Sequence, residues 1–229
     1  MRTSIALTIA GAAVVVASLT IVLVSGVLSA PPAEAPTEEF PDGPTVAFYG
    51  DSYTLGTGAS DPSQRWSTII SRDRGWNEFN PSVNGLGFVT NRGGAAGDGD
   101  ILDQIIERGP DMVIVTMGLN DNFSFATRAD DIEAQIPADL ERLRDALPDA
   151  RIIVVEPFWY TDERPESVDT IIGWVMDTAA AVDAERITGA SRWIEGRPDW
   201  IAADGLHPND EGYAAIAERM DAELQRLGL

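Results

Sequence analysis

The chain has 229 residues, 44% of them hydrophobic and 7% aromatic, with no cysteine and a single histidine, His207. Lys and Arg number 16 against 37 Asp and Glu, a formal net charge of −21. Wholesale disorder is excluded by the hydrophobic content. A disulfide scaffold, a thiolate nucleophile and a zinc finger are excluded by the missing thiols. A His-rich metal site and a basic nucleic-acid surface are excluded too, because phosphate binding needs clustered cations.

From the N-terminus, no charge follows Arg2 until Glu34, and residues 4–29 are uncharged and mostly apolar. About 20 helical residues cross a bilayer core, so this stretch is long enough to span. Residues 1–30 are therefore expected to be an N-terminal transmembrane anchor or a signal peptide. The anchor is favoured, because the apolar run exceeds the roughly 7–15 residues of a signal core. Pro36 also follows the small-residue triplet Ala33-Glu34-Ala35, an unfavourable neighbour for cleavage. Arg2 lies on one flank and Glu34, Glu38, Glu39 and Asp42 on the other, which places the rest of the chain outside the cytoplasm. The expected location is extracellular or at the cell surface, with the membrane a partner through this segment alone. Residues 31–44, rich in Pro and acids, read as an extended linker. The globular domain is expected over 45–229.

Within it, Thr45–Gly50 reads as a buried strand. Gln64–Arg72 has apolar residues at helical spacing, and a short second strand is expected near Ser82–Val83. Asn91–Gly99 is a glycine-rich loop without the Lys-Ser/Thr of a phosphate-binding loop. Asp100 then caps a helix whose Ile101, Leu102, Ile105 and Ile106 share a face. Asp111–Met117 is a continuous apolar strand, which implies burial on both faces. Residues 130–146 are helical by their spacing, Arg151–Val155 is a further buried strand, and a helix is expected over about 166–183. A weak strand near Arg186–Thr188 precedes a final helix from about Asp210 to Leu227. This alternation predicts an α/β fold: a doubly wound, five-strand parallel sheet in a three-layer α/β/α sandwich, with its site at the carboxyl ends of the strands.

Three motifs fall at that rim. Gly50-Asp51-Ser52-Tyr53 follows the first strand, where a serine hydroxyl and free backbone N–H groups can meet an oxyanion, although Asp and Ser are equally good helix caps. Gly118-Leu119-Asn120-Asp121 follows the strand DMVIVTM, where an Asn amide can stabilise an oxyanion, although these are also turn residues. Asp204-Gly205-Leu206-His207-Pro208 precedes the last helix. There an Asp three positions from the one imidazole can fix its tautomer.

Each motif alone is weak, but the ordered set resembles the SGNH hydrolases, also called GDSL esterases and lipases, from about Thr45 to the C-terminus. The family's first, third and fifth motifs correspond to GDSY, GLND and DGLHP. Tyr53 stands where many members carry Leu. The family's second motif is a glycine after the second strand. It corresponds to Gly85, with Gly87 as the alternative. The resemblance implies a flavodoxin-like sheet and ester hydrolysis through an acyl-enzyme. Ser52 would be the nucleophile, His207 the base and Asp204 its orienting partner. The Ser52 N–H, the Gly85 N–H and the Asn120 side chain would form the oxyanion hole. No metal or other cofactor is implied. An ordinary histidine has a pKa of about 6.5, so a neutral base is available at neutral pH.

The acidic domain and the lack of a long apolar lid segment favour short-chain, acetyl-type esters of small molecules or carbohydrates. Lysophospholipids or lipids are the alternative substrate class, and a catalytically inactive surface binding module the alternative function. The run Pro157-Phe158-Trp159-Tyr160 is equally open to a role in a pocket or in the core.

Overall fold

The strand Met112–Val115, here β3, is buried along its whole length and organises the rest. The computed structural model describes residues 39–93 and 100–229. The anchor or signal peptide and almost all of the linker lie outside these, as do residues 94–99 of the glycine-rich loop. Five strands, β1 (Thr45–Tyr49), β2 (Asn77–Phe79), β3, β4 (Arg151–Val155) and β5 (Glu185–Ile187), form one parallel sheet in the order β2-β1-β3-β4-β5. Helices are α1 (Ser52–Leu55), α2 (Trp66–Arg74), α3 (Ile101–Arg108), α4 (Phe125–Ala146), α5 (Glu166–Ala181) and α6 (Asp210–Arg226). The fold is the three-layer α/β/α type expected, with flavodoxin-like strand order.

Strand alternation divides the core in two. Val46, Phe48, Ile114, Ile153 and Val155 face a layer that includes Trp66 and Ile70 of α2 and Tyr213, Ile216 and Met220 of α6. Ala47, Val113, Val115, Ile152 and Val154 face Ile101 and Ile105 of α3, Ile132 and Leu140 of α4, and Val175 of α5. Burying such a side chain stabilises the fold by about 1.5–3 kcal/mol, which is why the central strands read as unbroken apolar runs.

The second strand differs from expectation. It lies at Asn77–Phe79, not near Ser82–Val83. As an edge strand it is only half-buried and carries no apolar run, so periodicity passes over it. The chain beyond turns off the sheet at Asn80, whose side chain donates to the Thr54 carbonyl at 2.8 Å. The helix expected over 130–146 begins earlier, at Phe125, with Arg128 in a non-helical conformation near its start. Asp100 caps α3 as read, accepting from the Leu102 N–H at 3.0 Å.

Winding reverses between β1 and β3, since β2 lies on one side of β1 and β3 to β5 follow on the other. Adjacent loops therefore diverge at their carboxyl ends and open a crevice. The GDSY and GLND segments leave these two strands.

Candidate active site

Leaving β1, the chain passes close to β3. Thr54 and Thr116 share a hydrogen bond at 2.7 Å, and a side chain at Gly50 would strike both residues. Asp51 then caps α1 by accepting the Tyr53 N–H at 2.9 Å. Ser52 becomes the first helical residue, where the N–H has no partner within the helix. Both readings of this motif hold at once: the cap is Asp51, and the serine is left unengaged. Ser52 is 4% exposed. Its hydroxyl makes no hydrogen bond among the described residues, to His207 included. Such contacts commonly tighten only with substrate bound.

Asn120 opens a 3-10 turn after β3 and is buried. Its Nδ2 donates to Asp51 Oδ2 at 3.1 Å and to the Leu86 carbonyl at 3.0 Å. Two acceptors thus fix the amide with its nitrogen toward the GDSY and 85–87 segments. Asp51 is 1% exposed, and burial raises its carboxyl pKa from 3.8 to about 7, against the hydrogen bonds from Tyr53 and Asn120.

The two glycines separate cleanly. Gly87 donates its N–H to the Thr90 carbonyl at 2.9 Å. A Cβ on Gly87 would overlap the Asp121 carboxylate. That carboxylate accepts from Phe88 N–H at 2.7 Å and from Val89 and Thr90 N–H at 3.0 Å each. Burial raises the Asp121 pKa and these three donors oppose the rise. Gly87 is therefore a close-packing residue. Gly85 has φ of +70° and, among the described residues, nothing accepts its N–H. Of the two, Gly85 has the donor to spare.

The third motif is a tight loop. Ala202 N–H donates to the His207 carbonyl at 2.8 Å and Gly205 N–H to the Ala202 carbonyl at 3.0 Å. His207 Nδ1 lies 2.6 Å from Asp204 Oδ2, while Asp204 Oδ1 accepts the N–H of Leu206 at 2.9 Å and of His207 at 3.0 Å. Burial acts to raise the Asp204 pKa, but the ring and both N–H donors outweigh it and bring it down to about 2. An ionised Asp204 holds Nδ1 as the protonated nitrogen, which leaves Nε2 as the base. The Tyr53 hydroxyl donates to the Leu206 carbonyl at 2.6 Å, and its ring centroid lies 6.0 Å from that of His207. The residue after Ser52 thus props the histidine loop over the same crevice.

The structure thus carries all the site residues read from the sequence on the strand ends and loops at this crevice. Sequence reasoning took Asp51 only as a helix cap and gave Asp121 and Tyr53 no supporting role, although the three hold Asn120, the 88–90 segment and the histidine loop. All three sit inside the motifs already singled out, and that adjacency was the available signal. Phe158 and Trp159 are buried in the core, while Tyr160 lines a cavity.

Residues 48–215 match the family model of the GDSL-like lipase/acylhydrolases. The chain belongs to this family, and it is a carboxylic ester hydrolase of the SGNH type. It is 27% identical over 189 residues to GDSL lipase Rv0518 of Mycobacterium tuberculosis, covering 76% of this chain and 79% of the relative. Its fold is similar to that of a psychrotrophic esterase, EstA, from Pseudoalteromonas, whose structure was inhibited by monoethylphosphonate. The TM-score is 0.62 at 16% identity, over 80% of this chain and 97% of that one. It is similar as well to a two-domain esterase active on acetylated mannans, with TM-score 0.61 and 19% identity, over 80% of this chain and 49% of the other.

Proposed function

We propose that the protein is a serine esterase that removes short acyl groups, acetyl above all, from carbohydrate or other small hydroxylated substrates. Ser52 Oγ attacks the ester carbonyl and His207 Nε2 takes its proton. The oxyanion is held by the N–H groups of Ser52 and Gly85 and by Asn120 Nδ2. As the tetrahedral adduct collapses, the ester C–O bond breaks and His207 protonates the departing alcohol. A water, deprotonated by the same imidazole, then cleaves the acyl-serine and regenerates Ser52 with release of the acid. Asp204 stabilises the imidazolium in both halves.

The observation that carries this reading is the 2.6 Å contact between His207 and Asp204, on a loop tied by Tyr53 to the segment that bears Ser52. Short chains are favoured by the surface. Among the described residues Phe123, 56% exposed, is the one large apolar side chain that is well exposed. Contiguous exposed apolar patches mark membrane and lipid interaction surfaces. A carbohydrate alcohol is supported by the fold neighbour active on acetylated mannans. The apolar stretch at residues 4–29 would place the activity outside the cytoplasmic membrane.

Hydrolysis of p-nitrophenyl acetate, butyrate and octanoate by wild type and Ser52→Ala tests the proposal. Wild type should favour the short esters, and Ser52→Ala should lose about 10³-fold or more in kcat. Octanoate preferred over acetate points instead to the lipase reading. Wild type that equals Ser52→Ala, and that a fluorophosphonate probe fails to label, overturns the enzyme in favour of a binding module.

A further inference from the structure

The turn that follows α1 joins three segments of the candidate site, and Thr57 does so with its N–H, its carbonyl and its hydroxyl. The N–H donates to the Ser52 carbonyl at 2.9 Å. The carbonyl accepts from the buried Tyr213 hydroxyl at 2.7 Å, which ties the turn to α6, the helix that follows the histidine loop. The hydroxyl donates to Asn84 Oδ1 at 2.5 Å, on the residue that precedes Gly85. Next in the chain, Gly58 has φ of +97°, and a Cβ there would lie 2.5 Å from the Pro208 carbonyl and 3.0 Å from His207 Cβ. The turn therefore packs directly on the residue that carries the base.

These contacts meet a geometric requirement. The Gly85 N–H lies in the plane of the peptide that Asn84 begins, so holding Asn84 limits how that N–H can swing. On the other flank, Asn91 Nδ2 donates to the Gly85 carbonyl at 2.9 Å. A glycine has the widest backbone freedom of any residue, and a donor that must meet a developing charge cannot keep that freedom. The Asn91 bond is local to the 85–91 segment. The Thr57 hydroxyl instead refers Gly85 to the segment of the nucleophile, and the Thr57 carbonyl refers both to the helix behind the base.

We infer that Thr57 is a positioning residue, whose hydroxyl sets the Gly85 N–H in register with Ser52 and His207. The inference rests on the reading of Gly85 as an oxyanion donor, and Thr57 acts through Asn84 and not on the substrate.

The test uses the full-length protein and p-nitrophenyl acetate, with kcat taken per Ser52 titrated by a fluorophosphonate, so that misfolded protein does not count. Thr57→Val keeps the N–H, the carbonyl and the branched shape and removes the hydroxyl bond. It should lower kcat about 10–100-fold with KM within about twofold of wild type. Its pH profile should match wild type, because the contacts to the histidine side are kept. Asn84→Ala should lose as much. The Thr57→Val/Asn84→Ala double variant should lose no more than either alone, within about twofold, because both break one bond. Thr57→Ser, which restores the hydroxyl, should recover kcat to within about threefold of wild type. Wild-type kcat in Thr57→Val overturns the inference. So do losses that multiply in the double variant, or a Thr57→Ser no better than Thr57→Val. A raised KM at unchanged kcat overturns it as well, since Thr57 is then a substrate contact. Failure of the underlying reading looks different. Gly85→Ala then also keeps wild-type kcat, or wild type hydrolyses no ester and takes no fluorophosphonate label, and the inference falls with it.

Discussion

Replacing Asp51 by asparagine should change the stability of the protein in opposite directions at low and high pH. The carboxyl is buried, and its pKa rises from 3.8 to about 7, by burial first and with the Asp121 charge adding to it. A raised carboxyl pKa means that the folded state holds a proton the unfolded state has released. Stability is therefore highest below about pH 3.8 and falls as pH rises through the interval to about 7. A shift of about 3 units at about 1.4 kcal/mol per unit makes the ionisation penalty on the order of 4 kcal/mol at pH 8. At pH 4 nearly all of that penalty is absent.

An amide at this position carries no charge at either pH, so Asp51→Asn removes the penalty. The substitution also loses contacts. The new amide can still accept from Tyr53 N–H, but its NH₂ then faces the Asn120 NH₂, a mismatch that costs about 1–3 kcal/mol. That cost is independent of pH. The variant should be less stable than wild type by about 1–3 kcal/mol at pH 4 and more stable by a similar amount at pH 8. Urea unfolding at pH 4, 6 and 8 reads this directly, and the change in ΔΔG across the range isolates ionisation from hydrogen bonding. A ΔΔG constant within about 0.5 kcal/mol from pH 4 to 8 refutes the reasoning, since Asp51 then titrates like an exposed carboxylate. The same variant should lose activity at pH 8 despite its added stability, because Asn120 has lost the acceptor that aims it.

Other substitutions separate the roles of neighbouring residues. Asn120→Ala should lower kcat about 10²–10³-fold on p-nitrophenyl acetate with KM nearly unchanged, because the donor acts on the transition state. Gly87→Ala should destabilise the fold by about 1–3 kcal/mol, read as a fall in urea midpoint, since its Cβ overlaps the Asp121 carboxylate. Gly85→Ala keeps its N–H but strains a backbone at φ of +70°, so it should cost about 1–2 kcal/mol and move the donor enough to lower kcat. Asp204 has a lowered pKa, of about 2, so its contribution to stability is full above about pH 3.8 and is lost as pH falls toward 2. Acid unfolding of Asp204→Asn should lack that component between pH 4 and 2. Protease treatment of intact cells should degrade the domain if residues 4–29 export it.

Fold legibility followed burial. β3 and β4 are sealed on both faces, so their composition is almost unbroken Val, Ile and Met, and the sequence reveals each with only terminal differences. β2 is held by its register against β1, with Thr45 opposite Asn77 and Ala47 opposite Phe79. Pairing of that kind leaves no mark on composition, and a half-buried edge has no need of an apolar pattern. The start of α4 is obscured for a similar reason, because its first turns bear no buried residue before Ile132.

The site was legible to the extent that chemistry demands particular residue types. Only a few side chains can act as nucleophile, base or oxyanion donor, and one imidazole in the whole chain makes His207 conspicuous. The supporting carboxylates were not legible. Asp51 and Asp121 are two among 37 acidic residues, and sequence does not say which are buried. Yet their positions follow from the chemistry they serve. An Asn amide can aim either its oxygen or its nitrogen into a crevice, and only the nitrogen stabilises an oxyanion. Two acceptors, Asp51 Oδ2 and the Leu86 carbonyl, settle that choice before substrate arrives. The Leu86 carbonyl must in turn be fixed, and Asp121 fixes it by gathering three successive N–H groups just beyond it. The proposed oxyanion hole draws on three separate segments and would need this bracing, since no single element holds its donors in common. Buried carboxylates beside the serine and the asparagine are what the proposed hole would require, and the cost of Asp51 in stability is expected to be largest above about pH 7.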